Sequence, residues 1–257
     1  MIGLAPIRLI PSDQAMSFSM LAVLGGLMGA VLGSFIATLV IRWPMSAVAG
    51  RSRCDICHLP IGTARLIPLL SYGVQQGRSS CCGQPISWLH PASELLGLTI
   101  GVLSFSLGGW EAWPAALLGW TLLALALFDL RHMILPDWLT SLLAVSGLAS
   151  GLIEPQTLID RFAGLACGYV SLATISLIYR RLRHRAGLGG GDIKLFAAIG
   201  AWLGWQSLPL VLLLSGALGF LSAIIMQLTG HEVKPTTRLP LGTLMAAAAW
   251  PLYLVAH

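Results

Sequence analysis

The stretch "WTLLALALFDLRH", Trp120 to His132, decides the fold. An almost unbroken apolar run ends on an aspartate, with an arginine and a histidine close behind. Together with the residues before it, the run covers roughly 112–128 without a charge. That approaches the ~20 residues a helix needs to cross ~30 Å of hydrocarbon. The rest of the chain has the same character. Of 257 residues, 56% are hydrophobic and only 10% charged, and the mean hydropathy is +0.82. Soluble domains carry about 25% charged residues, so this is the composition of an integral membrane protein. The net charge of +5 sits on no polar domain of the kind a nucleic-acid binder needs, so no nucleic-acid partner is expected.

Further apolar spans flank the first, at roughly 18–41, 92–109, 138–153, 162–179, 193–205, 207–228 and 239–256. The expected fold is all-α and polytopic, with about eight transmembrane helices; 193–205 and 138–153 are short for a full crossing. Lysine and arginine set the orientation. With the N-terminus outside, Arg42, Arg51, Arg53, Arg65, Arg78, Arg131, Arg180, Arg181, Arg183, Arg185, Lys194, Lys234 and Arg238 fall inside, against Arg8 and Arg161 outside. The basic run "RRLRHR", Arg180 to Arg185, reads as an inner-face anchor. The first span is too long for a signal-peptide core, despite the Ala-x-Ala within "SAVAG", Ser46 to Gly50. Gly25, Gly29 and Gly33 recur at the small-residue spacing that lets membrane helices pack closely.

Three regions follow: 1–43, a short tail and the first span; 44–90, a polar cytoplasmic insert; and 91–257, a membrane bundle. No internal repeat is evident. The insert is too small to bury a good core alone, yet it holds Cys54, Cys57, Cys81 and Cys82. A C-x-x-C followed by a second cysteine pair points to a structural zinc site, which would supply folding energy. The second pair is adjacent, so two ligand sets remain open: four thiolates, or three with His58. Reduced structural thiols are the alternative; disulfides are disfavoured on a cytoplasmic segment. Cys167, inside an apolar span, reads as a small buried hydrophobe.

Three aspartates lie at span boundaries on the inner side: Asp129, Asp137 and Asp192. A carboxylate at the membrane edge is expensive and marks function by default. Asp137 follows Pro136 and is explained as a helix cap. Asp129 ends a helix, where the dipole disfavours it, and Asp192 follows Gly189, Gly190 and Gly191 in "GLGGGDIKLF", Gly187 to Phe196. Such a run is expected to resist helix formation and to let another backbone approach. It matches neither the dinucleotide fingerprint nor the Walker loop. Two carboxylates brought within a few ångströms cannot both ionise freely, which is the aspartic-protease arrangement. A proton-coupled carrier and a structural membrane subunit are the rival readings, each expected to depend differently on the two carboxylates.

At these residues the chain resembles the type IV prepilin peptidases, bifunctional leader peptidases and N-methyltransferases. "GLGGGDIKLFAAIGAWLGW" (Gly187 to Trp205) is similar to their G-x-G-D segment, and "DLRHMILPDWLT" (Asp129 to Thr140) to their first aspartate segment. "VLGSFIATLVIRWP" (Val31 to Pro44), "GQPISWLHPASELL" (Gly83 to Leu96) and "TRLPLGTLMA" (Thr237 to Ala246) resemble further segments, in order. The resemblance implies Asp129 and Asp192 as catalytic residues, and Gly189 to Gly191 as the loop against which substrate lies. It places Cys54, Cys57 and Cys82 on three of four cysteine positions, with Ser79 on the fourth and Cys81 displaced by two. Ala37 stands where the family usually has asparagine, and "PLGTL" replaces the usual Pro-Phe-Gly-Pro-Phe. The implied substrate is a prepilin or pseudopilin of pilus or type II secretion systems, with a basic leader cut after glycine. The implied second step methylates the new amine from S-adenosylmethionine; no recognisable cofactor motif is present, and Gly33, Ser34 and the insert are the expected neighbourhood. The implied location is the bacterial inner membrane among its lipids, with the active site at the cytoplasmic face and the N-terminus periplasmic.

Overall fold

A computed structural model describes residues 12–44, 53–62, 66–152, 155–183, 188–230 and 239–256. The readings of the N-terminal tail, of "SAVAG", and of Arg8, Arg51, Arg65, Arg185, Lys234 and Arg238 as orientation markers fall wholly or largely outside these residues. The described elements are helical, in the order α1 (Ser12–Ile41), α2 (Leu70–Val74), α3 (Leu89–Gly108), α4 (Trp113–His132), α5 (Asp137–Ser150), α6 (Pro155–Arg183), α7 (Gly190–Leu203), α8 (Leu208–Leu228) and α9 (Leu241–Ala256). Apart from the single-turn α2, they match the eight apolar spans one for one. Four stretches are long and apolar enough to cross a membrane: Ser19–Ile41, Leu89–His132, Leu158–Arg183 and Trp205–Leu228. The second comprises α3 and α4, joined by a 3-10 turn at Gly109–Ala112. At 1.5 Å per residue, the 14 residues of α5 or of α7 reach only about 21 Å, short of a full crossing.

The chain forms two compact units. In the first (Met1–Phe35 with Gly50–Ala116), α1 packs on α3 through glycine. A β-carbon on Gly97 would land on the carbonyl of Gly29, one on Gly101 on that of Gly25, and one on Gly33 on that of Ser93. The glycine spacing in α1 therefore has its partner on α3, and the backbones meet with no side chain between them. Gly33 is closed by Ser93 and Glu94.

In the second unit (Ile36–Ala49 with Leu117–His257), α7 lies between α5 and α6. Every residue from Leu195 to Trp202 is buried. Gly164 on α6 and Gly200 on α7 each occupy the place where the other's β-carbon would have to go. The indole N–H of Trp202 donates to the Leu143 carbonyl at 2.8 Å, and its ring meets Tyr253 of α9 edge to face, 5.7 Å between centroids. Arg161, counted above as a loop charge, is buried instead. Its guanidinium donates to the Gly147 carbonyl at 3.0 Å, to Ser150 Oγ at 2.9 Å and to the Ala201 carbonyl at 3.5 Å. These are the C-terminal turns of α5 and α7, where a cation is favoured by the helix dipole. Cys167 is exposed on α6, not buried. Ala37 is fully buried, a place where an amide would need a hydrogen-bond partner.

Candidate active site and cysteine cluster

Asp129 sits in the last turn of α4 and is buried. The end of α4 is fixed by its neighbours. Phe128 packs edge to face on Trp43 at 5.2 Å. His132 Nε2 lies 2.8 Å from the Val40 carbonyl, an acceptor only, so this nitrogen carries the proton. Asp129 Oδ2 then receives the backbone N–H of Thr243 at 2.8 Å. Thr243 is in the first turn of α9, and its hydroxyl lies 2.9 Å from the Ala126 carbonyl and 3.3 Å from Asp129 Oδ2. The dipole of α4 opposes a charge at Asp129, and the N-terminus of α9 compensates it.

Asp192 lies in the first turn of α7, whose N-cap is Gly189. The carboxylate turns back toward the N–H of Gly189, as an acidic residue does at the third position of a helix. A β-carbon on Gly189 would stand 3.1 Å from Asp192 Oδ2. Two sequence readings change here. Gly190 and Gly191 belong to the helix, although the run was expected to resist one. Asp192 also has a local role at a helix terminus. Asp137 is the first residue of α5, with Pro136 at the N-cap position; its carboxylate accepts the Lys194 ammonium at 2.7 Å.

Leu135 joins the two aspartates' surroundings. A β-carbon on Gly191 would meet Leu135 Cβ at 3.0 Å. One on Gly242 would meet Leu135 Cδ1 at 3.1 Å and Asp129 Oδ2 at 3.0 Å. Gly191, next to Asp192 in the chain, and Gly242, against Asp129, thus close on one small apolar plug. A β-carbon at 191 or 242 would force these neighbours to give by a few tenths of an ångström. Gly190 has nothing within 4 Å and faces an opening beside the pair. The arrangement suits two carboxylates sharing one proton.

In the insert, the four sulfurs of Cys54, Cys57, Cys81 and Cys82 lie within 4.8 Å of one another. Cys54 and Cys82 are 3.8 Å apart, Cys57 and Cys81 3.1 Å. Tetrahedral zinc with bonds near 2.3 Å needs sulfurs roughly 3.8 Å apart; Cys54 and Cys82 meet this, Cys57 and Cys81 stand closer, and the four thiols are near enough together to hold a metal. His58 is not among the four. The scaffold is an eight-residue repeat that the sequence reading missed: "RCDICHLP" (Arg53 to Pro60) and "RSSCCGQP" (Arg78 to Pro85). Each opens and closes on an Arg–Pro bridge. Cys54 N–H donates to the Leu59 carbonyl at 2.9 Å, as Ser79 N–H does to Gln84 at 2.8 Å. His58 and Gly83 share the left-handed corner, with φ of 58° and 68°. Ser79 therefore replaces the first cysteine of the second knuckle, and Cys81 reaches in from the knuckle's tip. The Cys57 N–H, then the Ser79 hydroxyl, pull the Cys54 thiol down to about 6. The Leu59 N–H favours a thiolate at Cys57, but the Cys81 thiol and burial outweigh it and push Cys57 up to about 12.

Sequence reading also missed Glu94, a buried carboxylate on α3 that accepts the Leu69 N–H at 2.7 Å and ties the insert to its helix. It missed Thr243 as well. No spacing rule connects residue 243 with residue 129; only the start of a helix after Pro240 hinted at free N–H groups there.

Known proteins fall in line with this geometry. The type IV leader peptidase family model matches residues 116–224, and that of the bacterial peptidase A24 N-terminal domain matches 27–107. A prepilin leader peptidase/N-methyltransferase of Aeromonas hydrophila is 40% identical over 212 residues, 80% of this chain and 72% of that one. Proteins of the same name from Klebsiella pneumoniae and Pseudomonas aeruginosa are 39% and 36% identical, over 74% and 79% of this chain and 88% and 71% of theirs. No solved structure matches.

Proposed function

The chain belongs to the type IV leader peptidase family, and from that premise we propose that Asp129 and Asp192 are the catalytic pair with which it cuts the leader from prepilins or pseudopilins. The observation that supports the assignment is that Leu135 packs against both Gly191, beside Asp192 at the start of α7, and Gly242, beside Asp129 where it is held at the start of α9. One aspartate is ionised and takes a proton from water while the water oxygen bonds to the scissile carbonyl carbon. The other is protonated and gives its proton to the carbonyl oxygen. The tetrahedral intermediate then collapses: the C–N bond breaks, the first aspartate returns its proton to the leaving amine, and the second recovers its proton from the intermediate's hydroxyl. Gly190 leaves room for the substrate backbone beside this pair, with Gly189 and Gly191 shaping the turn.

The apolar helices and the family support a multi-pass protein of the bacterial inner membrane. The lysine and arginine distribution favours an active site at the cytoplasmic face and a periplasmic N-terminus. Residues 1–43 would serve as tail and first span, 44–90 as insert and 91–257 as the peptidase bundle. A metal held by Cys54, Cys57, Cys81 and Cys82 would clamp the two knuckles together. The relatives' name includes N-methyltransferase, and methylation of the new N-terminus from S-adenosylmethionine is the corresponding second activity. The proton-carrier alternative has no support, because the matched relatives are leader peptidases.

The test is co-expression with a prepilin. Asp129→Asn and Asp192→Asn should each lower processing on the order of a thousandfold or more at normal protein levels. Normal processing by both would refute the catalytic pair. Labelled methyl incorporation into the cleaved product, by purified enzyme given S-adenosylmethionine, tests the second activity.

A further inference from the structure

The two aspartates are held differently. Both polar groups of Thr243 converge on one oxygen of Asp129: the N–H at 2.8 Å and the hydroxyl at 3.3 Å. The hydroxyl also reaches the Ala126 carbonyl at 2.9 Å, pinning the first turn of α9 to the last turn of α4. The N–H of Gly242 also faces the Asp129 carboxylate. Asp192 has no comparable clamp, only the N–H of Gly189 facing it. Hydrogen bonds from N–H groups at a helix N-terminus favour the charged form of a carboxylate. When two carboxylates share a proton, the one that accepts more N–H hydrogen bonds is biased toward the charge, here against the burial that opposes it at Asp129.

We propose that Thr243 is a positioning residue that holds Asp129 as the charged member of the pair, so that Asp129 takes the proton from water and Asp192 carries the proton to the scissile carbonyl. This rests on the reading of Asp129 and Asp192 as the catalytic pair. The other titratable groups where these helices meet are Arg42 at the end of α1, Arg131 and His132 on α4, Asp137 on α5 and Lys194 on α7; α9 brings none in its first turns. His132 is engaged by Val40, and Lys194 and Asp137 neutralise each other. None of these takes over the role of the Thr243 N–H.

The informative variant is Thr243→Pro. Proline has no N–H, fits the first turn of a helix, and is the residue the family's usual motif carries here, so the protein should fold. The measurement is the pH profile of kcat/KM for prepilin cleavage by the full-length enzyme in detergent. A hydrogen bond to a charged group is worth about a tenfold change in ionisation. The acidic limb of Thr243→Pro should therefore move up by about one pH unit, with the basic limb in place and the plateau kcat within about threefold. Thr243→Val, which keeps the N–H, should move the limb by less than half as much, and Thr243→Ser should restore the wild-type profile. An unmoved acidic limb in Thr243→Pro overturns the proposal, and a shift of the basic limb instead gives the charge to Asp192. Failure of the catalytic pair itself reads out separately, as normal processing by Asp129→Asn and Asp192→Asn.

Discussion

At the scale of single residues, glycine is the sharpest probe of the site, because each position has a different reason for lacking a β-carbon. A methyl on Gly242 would stand 3.0 Å from Asp129 Oδ2 and 3.1 Å from Leu135 Cδ1. Both are tighter than ordinary contact, so the Asp129 carboxylate would have to shift by a few tenths of an ångström from its place beside Leu135. Reacting groups displaced by a fraction of an ångström lose rate steeply. Gly242→Ala should lower kcat about tenfold with little change in KM; wild-type kcat would mean that Asp129 is not held as described. Gly190 is the opposite case. Its added methyl meets nothing within 4 Å, and alanine suits a helix better than glycine, so Gly190→Ala should leave the unfolding temperature unchanged or raised. If substrate backbone lies in that opening, the same variant should raise KM several-fold. Unchanged KM would remove Gly190 from the substrate path.

At the scale of elements, backbone-to-backbone contact decides which helices are held most firmly. Gly164 and Gly200 each face the other's carbonyl, so α6 and α7 touch without side chains between them. Gly200→Ala must push the helices apart, and overpacking of this kind costs about 2 kcal/mol. Gly216 on α8 has open space around it, so Gly216→Ala serves as the control. The pair of thermal melts should separate clearly; equal melting would show that the α6–α7 contact is loose. The elements were largely legible in sequence, because hydrophobic length alone marks a helix in a membrane protein. The pairing of Gly25 and Gly29 with α3 was not, since spacing announces a contact but not its partner. The glycine run before Asp192 misled for a physical reason. Glycine weakens a helix interior, but in a first turn followed by eight buried residues, Leu195 to Trp202, packing overrides that preference.

At the scale of the whole molecule, the candidate chemistry divides between the two units: the aspartate pair in one, the cysteine cluster in the other. The aspartates were legible because charge in an apolar run is costly. Their oxygens' partners were not, because Thr243 lies 114 residues from Asp129. The cysteines were legible as a C-x-x-C and a stray pair. The repeat that organises them was hidden by Ser79, which replaces the cysteine that would have revealed it. That substitution gives the last prediction. If Cys81 serves as the fourth thiolate in place of Ser79, purified protein should bind one zinc per chain. Ser79→Ala should retain it, and Cys81→Ser should lose or weaken it, at least tenfold in affinity. The fold supplies an independent reading. Arg53 and Arg78 open the two knuckles, and each is a trypsin site once its knuckle frays. With metal bound, both bonds should resist trypsin; after chelation, cleavage at both should appear together, because one ion would hold both loops. Cleavage that ignores metal, or zinc retained fully by Cys81→Ser, would return the cluster to four reduced thiols packed for structure alone.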